Sequence, residues 1–216
     1  MTATATTETG YELGFTTLTR ERTVGSLPVE GELPVWLRGS LLRTGPARFE
    51  VGERPFRHWF DGLAMLHRFS FEDGRVSYAN RYLRGRAQRA AERGRIGYHE
   101  FATDPCRSFF RGLFTLFSAG PTDNGSVNVA RLGERFLALT ESPMPVRFDP
   151  RTLDSLGVDS QPPGMTPTAH PHQDRSSGDL VGYSTAFGRR SKYLLYRQHA
   201  AGGRTVFAAA PAERPS

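Results

Sequence analysis

The sequence predicts an all-β protein built from short antiparallel strands. Apolar and polar residues alternate in short runs, which is the period of a half-buried strand. Turn sequences separate these runs, and the chain contains 23 glycines and 15 prolines to supply them. This combination favours a β-meander over an α/β protein, and it is typical of a propeller, a sandwich or a barrel.

The first hairpin is predicted near residue 70. Residues 63–71 and 75–83 form two runs, and Glu72, Asp73 and Gly74 between them are typical of a hairpin turn. The second run places four alternating residues on one face: Val76, Tyr78, Asn80 and Tyr82. We therefore predict an antiparallel pair of strands at this position.

The same pattern recurs towards the C-terminus. Residues 127–131 and 135–140 flank a turn at 132–134, residues 179–187 and 193–197 flank a turn at 188–190, and a turn at 201–203 leads into residues 205–209. These spacings predict further hairpins of the same kind.

Two segments interrupt this rhythm with helical periodicity. Residues 86–93, rich in alanine and arginine, are predicted to form a short surface helix. Residues 106–118 are predicted to form an amphipathic helix whose apolar stripe consists of Phe109, Phe110, Leu113, Phe114, Leu116 and Phe117. This stripe has two interpretations, because it could pack on the protein core or lie in a lipid interface.

The composition limits the class of protein. The chain has 216 residues, of which 38% are hydrophobic and 23% charged, and this suffices for one globular domain. The single cysteine, Cys106, excludes an internal disulfide and a cysteine-rich zinc site. The start of the chain lacks the pattern of a signal peptide, and no apolar run is long enough to span a membrane, so we expect a cytoplasmic protein. Residues 1–15 are expected to form a flexible segment.

The positive charge of the chain is concentrated in one region. The net charge of +6 comes almost wholly from arginine, which is densest between Arg81 and Arg95. Such a cluster can mark a nucleic-acid surface, but no nucleic-acid-binding module is visible here. A solvated face or attraction to an anionic membrane surface is the better interpretation, and we expect no nucleic-acid partner.

Residues 168–174 (TAHPHQD) form the candidate metal site. Pro171 disfavours helix at the preceding residue, so His170 is expected in extended backbone, where a neutral imidazole suits iron, copper or zinc. His172 would face the same side of a strand as His170. The pair could bind one metal ion, and a polar turn made of the same residues is the alternative.

Several short motifs follow one another in a defined order. They are residues 31–39 (GELPVWLRG), 42–52 (LRTGPARFEVG), 58–62 (HWFDG), 66–69 (LHRF), 138–141 (ALTE), 148–153 (FDPRTL) and 168–172 (TAHPH). Together they resemble the carotenoid cleavage oxygenase family, from about Thr16 to the last residue. The resemblance implies a seven-bladed β-propeller whose axis holds a ferrous iron bound by four histidines. It also implies an enzyme that inserts dioxygen across a conjugated carbon–carbon double bond, giving two carbonyl products.

The resemblance assigns roles to particular residues. His170 matches the first iron ligand of the family, whereas His172 lies where the family has no ligand. Glu141 matches a glutamate that accepts a hydrogen bond from another iron-bound histidine and thereby orients its ring. The apolar stripe of residues 109–117 lies where membrane-associated members contact the bilayer, which favours interfacial contact and implies a peripheral membrane protein.

The length of the chain departs from the family. A propeller blade takes roughly 40 to 45 residues, so seven blades need about 300. Residues 16–216 are therefore expected to form a truncated N-terminal arc of blades that lacks the other histidine ligands and is inactive alone. The implied substrates are dioxygen and a carotenoid or apocarotenoid. A stilbene-cleaving dioxygenase and a noncatalytic propeller fragment are the alternatives, and the oligomeric state is left open.

Overall fold

The computed structural model of the chain describes residues 10–98, 121–159, 166–186 and 190–212. Within these ranges the regular structure is almost entirely β, with one α-helix, α1 (Arg86–Glu92), and two 3₁₀-helices, Tyr11–Phe15 and Trp59–Asp61. The strands in chain order are β1 (Arg22–Val24), β2 (Gly39–Arg48), β3 (Glu50–Val51), β4 (Arg54–Pro55), β5 (Leu63–Glu72), β6 (Arg75–Tyr82), β7 (Asn128–Leu132), β8 (Arg135–Leu139), β9 (Val146–Phe148), β10 (Ser155–Val158), β11 (Thr166–Pro167), β12 (His172–Gln173), β13 (Leu180–Ala186), β14 (Lys192–Gln198) and β15 (Arg204–Pro211). The predicted all-β class is confirmed.

The strands form three larger antiparallel sheets and a small ribbon. The sheet orders are β1-β6-β5-β2, then β10-β9-β8-β7, then β11-β13-β14-β15 with β12 also on β13, while β3 pairs with β4. The edge strands β2, β7 and β12 lie side by side, because β7 contacts both β2 and β12. Successive sheets that meet along one edge strand each are arranged as the blades of a propeller, and we number them blades one to three.

The predicted hairpins are present in the described residues. β5 and β6 pair from Met65 to Glu72, and Asp73 and Gly74 in the turn have φ of 49° and 70°, the left-handed pair that a type I′ turn requires. β7 pairs with β8, and β14 pairs with both β13 and β15. Part of the predicted turn at 188–190 lies outside the described ranges.

Apolar side chains fill the two spaces between consecutive blades. Between blades one and two, Leu66 and Leu83 meet Val146 and Phe148, all at most 3% exposed. Between blades two and three, Leu132 and Leu137 pack with a group that includes Ala169, next to His170. Burial of this area stabilises the arc and fixes the blade-three loop against blade two.

The predicted surface helix is present as α1, and its alanine face is buried. Ala87 and Ala91 pack against Leu63 of blade one and Val51 of the ribbon formed by β3 and β4. The carboxylate of Asp123 accepts hydrogen bonds from the backbone N–H of Arg86 at 2.5 Å and of Ala87 at 2.9 Å, which satisfies donors at the start of the helix. The segment before β7 therefore ties the helix to blade two.

The predicted amphipathic helix at residues 106–118 lies outside the described residues, and so do all six residues of its apolar stripe. Among the residues that the structure does describe, no helix is long and apolar enough to cross a bilayer. Residues 11–15, within the segment expected to be flexible, form an exposed 3₁₀-helix.

Blade three has one covered face and one exposed face. Ser184 and Tyr196 are buried on the covered side, at 0% and 4% exposure. The alternating residues Tyr183 and Leu195, which face each other across β13 and β14, are 44% and 38% exposed. The exposed face therefore carries large apolar side chains.

Candidate metal centre

His170 lies in a short break in the edge strand of blade three, between β11 and β12. Its side chain is exposed, whereas Thr168 and Ala169 before it are buried at 7% and 0% exposure. The backbone N–H of His170 donates a hydrogen bond to the hydroxyl oxygen of Thr168 at 3.1 Å. The imidazole is thus presented to solvent from a backbone that is fixed immediately beside it.

Asn128, the first residue of β7, attaches this break to blade two. Its side-chain amide donates to the carbonyl oxygen of Ala169 at 3.0 Å, and its own amide oxygen accepts from the backbone N–H of Val129 at 2.8 Å. Because the side chain is held at both ends, it acts as a short link between the edge strands of two blades. The sequence analysis did not find Asn128.

Glu141 lies on the loop that follows β8, and its side chain is exposed. Its neighbours Thr140 and Ser142 are each 4% exposed. These two residues line a cavity of about 30 Å³ that is also lined by Thr168 and Pro171. The loops carrying Glu141 and His170 therefore share one small cavity and belong to the same region of the arc.

His172 is exposed on β12, where it pairs with Val181 of β13. His170 and His172 are thus both accessible, but the second lies within the strand ladder and the first does not. No group of three or more histidine, cysteine, aspartate or glutamate side chains that could hold a metal ion is found among residues 10–98, 121–159, 166–186 and 190–212.

Among the described residues, His170 could serve as one metal ligand. Within the part of the chain that the structure describes, no side chain forms a hydrogen bond with the imidazole of His170, so either ring nitrogen is available to a metal. A site for a transition metal needs several such donors. A metal ion bound at His170 would therefore need further donors from beyond the described residues.

Two other described histidines, His58 and His67, have structural partners. His58 caps the 3₁₀-helix Trp59–Asp61, since its ring nitrogen accepts from the backbone N–H of Phe60 at 3.2 Å. His67 shares a hydrogen bond of 2.8 Å with the hydroxyl of Tyr78. Burial lowers the pKa of His67, and the charge of Arg43 lowers it further, so the ring stays neutral at pH 7. His58 therefore stabilises the turn formed by the HWFDG motif.

Three of the six arginines between Arg81 and Arg95, all described by the structure, form ion pairs. Arg84 lies 3.2 Å from Glu21, Arg81 lies 3.8 Å from Asp154, and Arg86 lies 3.9 Å from Asp123. These pairs are partly exposed and connect neighbouring elements, which is the behaviour of a solvated face.

Comparisons with known proteins cover most of the chain. The family model described as retinal pigment epithelial membrane protein (RPE65) matches residues 15–215. The β,β-carotene 15,15′-dioxygenase of Mus musculus is 40% identical over 181 residues, which are 78% of this chain and 32% of the relative. The carotenoid isomerooxygenase of Galleria mellonella is 39% identical over 77% of this chain and 35% of its own length. The chain thus spans about a third of the curated relatives it matches.

Solved structures share this fold over most of the chain. A chimera of ACO and RPE65 is 28% identical with a TM-score of 0.76, over 92% of this chain and 43% of that chain. The cobalt-substituted ACO of Synechocystis is 27% identical with a TM-score of 0.77, over 92% of this chain and 44% of that chain. These likenesses confirm that the three sheets are a partial arc of a β-propeller.

Proposed function

The chain belongs to the retinal pigment epithelial membrane protein family, which is that of the carotenoid oxygenases, and on this premise we propose that it forms part of an iron-dependent enzyme that cleaves a carotenoid or apocarotenoid. The names of the relatives, carotene dioxygenase and carotenoid isomerooxygenase, support cleavage of a conjugated polyene with dioxygen. The observation that carries the proposal is the exposed imidazole of His170 at the edge where the blades meet.

In this proposal His170 supplies one ligand to ferrous iron. A solved relative with cobalt in place of its metal supports a metal cofactor in the family. When bound, the iron would supply the activation of dioxygen that organic side chains cannot provide. The task of this chain is to hold the imidazole in place, and the hydrogen bonds of Thr168 and Asn128 around it perform that task.

Glu141 is proposed to act on a different iron ligand. An exposed carboxylate on the adjoining loop can accept a hydrogen bond from the second nitrogen of a metal-bound histidine, which fixes the orientation and tautomer of that ring. That histidine would lie elsewhere in the completed propeller. Replacing Glu141 by glutamine should therefore weaken the metal affinity without changing the environment of His170.

The substrate is proposed to reach the site from a membrane surface. A polyene is nearly insoluble in water, and the apolar stripe of residues 109–117 together with nearby arginines is typical of a segment that lies in the lipid interface. The protein would accordingly be cytoplasmic and peripheral on the membrane.

The test uses a chimera in which residues 1–216 replace the matching part of a carotene dioxygenase. His170→Ala should remove bound iron and abolish aldehyde products, whereas His172→Ala should keep most of the iron. Metal content is measured by mass spectrometry and products by chromatography. Equal loss of iron in the two variants would show that the ligand is misassigned.

The polypeptide of residues 1–216 by itself is expected to bind iron weakly and to lack dioxygenase activity. Among its described residues only His170 is available as a ligand of the proposed set. Anaerobic purification with ferrous iron, followed by metal analysis and a carotenoid cleavage assay, measures both quantities. One iron per chain together with turnover would overturn this expectation.

A further inference from the structure

A second chemically competent cluster lies in blade three, on the turn between β14 and β15. The ring of His199 lies between two partners: one nitrogen, Nδ1, is 3.2 Å from Oδ2 of Asp179, and the other, Nε2, is 2.8 Å from the hydroxyl oxygen of Thr205. A hydroxyl, an imidazole and a carboxylate connected in this order form the arrangement that activates a nucleophilic oxygen.

Asp179 is suited to hold the histidine in the required tautomer. Its side chain is 12% exposed, and its Oδ1 accepts from the backbone N–H of Ala200 at 2.8 Å. That N–H, together with His199 and Arg197, lowers the pKa of Asp179 against the opposing effect of desolvation. The carboxylate is therefore ionised at neutral pH and accepts a hydrogen bond from Nδ1–H of His199, which leaves Nε2 as an acceptor for the hydroxyl of Thr205.

Closure of the turn does not require these side-chain contacts. The backbone N–H of His199 donates to the carbonyl of Gly203 at 3.0 Å, and the N–H of Gly202 donates back to the carbonyl of His199 at 3.0 Å. Thr205 is already paired with Arg197 in the ladder between β14 and β15. The backbone thus forms the hairpin, and the aligned hydroxyl, ring and carboxylate are an additional feature.

A cavity of about 290 Å³ opens beside the aligned groups. It is lined by His199, Thr205, Arg197, Val181 and Phe207. Val181 and Phe207 give it an apolar wall, and Arg197 lines it with its Nη1 held 3.0 Å from Asp174 and 3.3 Å from Asp179. An apolar acyl group fits such a wall.

We propose that Thr205, His199 and Asp179 form a hydrolytic site for esters of small apolar acids, independent of the metal centre. His199 takes the proton of the Thr205 hydroxyl while the oxygen attacks the ester carbonyl, and the alcohol leaves with that proton. Water then attacks the acyl-threonine, gives a proton to His199, and releases the acid with Thr205 restored. The net reaction consumes ester and water and yields acid and alcohol, with no redox partner.

The test uses residues 1–216 with p-nitrophenyl acetate and p-nitrophenyl butyrate, in the presence of a metal chelator. We expect saturable release of p-nitrophenol above the buffer rate. Thr205→Val, which keeps the shape and removes the hydroxyl, and His199→Ala should each lower kcat/KM at least about tenfold, since a positioned base contributes on the order of 10²–10⁴. Thr205→Ser restores a hydroxyl and should retain turnover.

Thr185→Val is the matched control, because Thr185 lies on β13 of the same blade and has no contact with His199. It should leave the rate unchanged, and circular dichroism should show that all variants fold. Rapid quenching followed by peptide mass mapping should find the acyl group on Thr205. The proposal is overturned by a folded wild-type chain that hydrolyses neither ester, by equal rates in wild type and Thr205→Val, or by loss of turnover with the chelator. These results concern ester hydrolysis alone, so they leave the carotenoid proposal unaffected.

Discussion

Replacing Asn128 by alanine should loosen the loop that carries His170 while leaving the rest of the arc intact. The substitution removes the donor to the carbonyl of Ala169, a residue with 0% exposure. A buried carbonyl left without its hydrogen bond costs about 1–3 kcal/mol. Because water can reach that carbonyl only when the loop opens, the cost should fall on the local closed state rather than on the whole fold.

The magnitude can be measured as hydrogen exchange. A local loss of 1–3 kcal/mol corresponds to roughly 5- to 140-fold faster exchange, since each 1.4 kcal/mol is about tenfold. The assay is mass spectrometry of deuterium uptake in peptides that span residues 166–173. The amides of His170 and its neighbours should speed up by this factor, and peptides from blade one should not change.

Two further variants define the origin of the effect. Asn128→Asp keeps an acceptor for the N–H of Val129 and removes only the donor to Ala169, so it should loosen the loop at least as much as alanine does. Gln173→Ala, at an exposed position in the same segment, should have no effect. Unchanged exchange in residues 166–173 of Asn128→Ala would refute the reasoning, and an equal increase in every peptide would show global destabilisation instead.

Three other predictions concern the fold, its pH dependence and the membrane. Asn124→Leu leaves two buried backbone groups without partners, the N–H of residue 64 and the carbonyl of residue 62, and should lower the unfolding free energy in urea by roughly 2–6 kcal/mol. The pKa of Asp179 is lowered in the folded state, chiefly by the N–H of Ala200. The stability that ionised Asp179 contributes is therefore complete above the ordinary aspartate pKa and declines as the pH falls below it. Urea midpoints measured from pH 7 to pH 3 should fall less in Asp179→Asn than in wild type. Changing Phe114 and Phe117 together to serine should weaken liposome flotation while the Tm barely changes.

Each of these has a distinct contrary result. A urea midpoint for Asn124→Leu equal to that of Gln173→Ala would show that water satisfies the exposed backbone groups. Parallel pH profiles of wild type and Asp179→Asn would show that other carboxylates cause the acid sensitivity. A large fall in Tm with unchanged flotation would show that the apolar stripe of residues 109–117 packs on the protein core.

Local sequence signals predicted the parts of the fold that depend on neighbouring residues. The hairpin of β5 and β6 follows from Asp73 and Gly74, because their left-handed backbone is a property of those two residues. The expectation that His170 shares a strand face with His172 was wrong, because His170 lies in the break between β11 and β12. These signals operate over a few residues, and the structure agrees with the strands predicted from them.

The links between blades could not be predicted in the same way. Asn128 reaches Ala169 across 41 positions, and Asn124 reaches Ala64 across 60. An asparagine at the start of a strand has no periodicity that identifies its partner, since the contact exists only after the blades have packed. For the same reason the alignment of His199 with Asp179 and Thr205 could not be predicted from the sequence.

The interrupted edge strand of blade three shows how the fold can present a ligand without leaving its backbone unsatisfied. The N–H of Thr168 still donates to Tyr183 at 2.8 Å, but between β11 and β12 the ladder stops, and Pro171 has no N–H to contribute. The N–H of His170 is satisfied by the hydroxyl of Thr168, and the carbonyl of Ala169 by Asn128. Side chains therefore replace the ladder at the residue whose imidazole is exposed. A regular strand would hold its backbone equally well, but it would fix every side chain by the two-residue alternation of the sheet. Because His170 lies outside the ladder, this alternation does not set the direction of its side chain, and the hydrogen bonds made by Thr168 and Asn128 hold the backbone beside it.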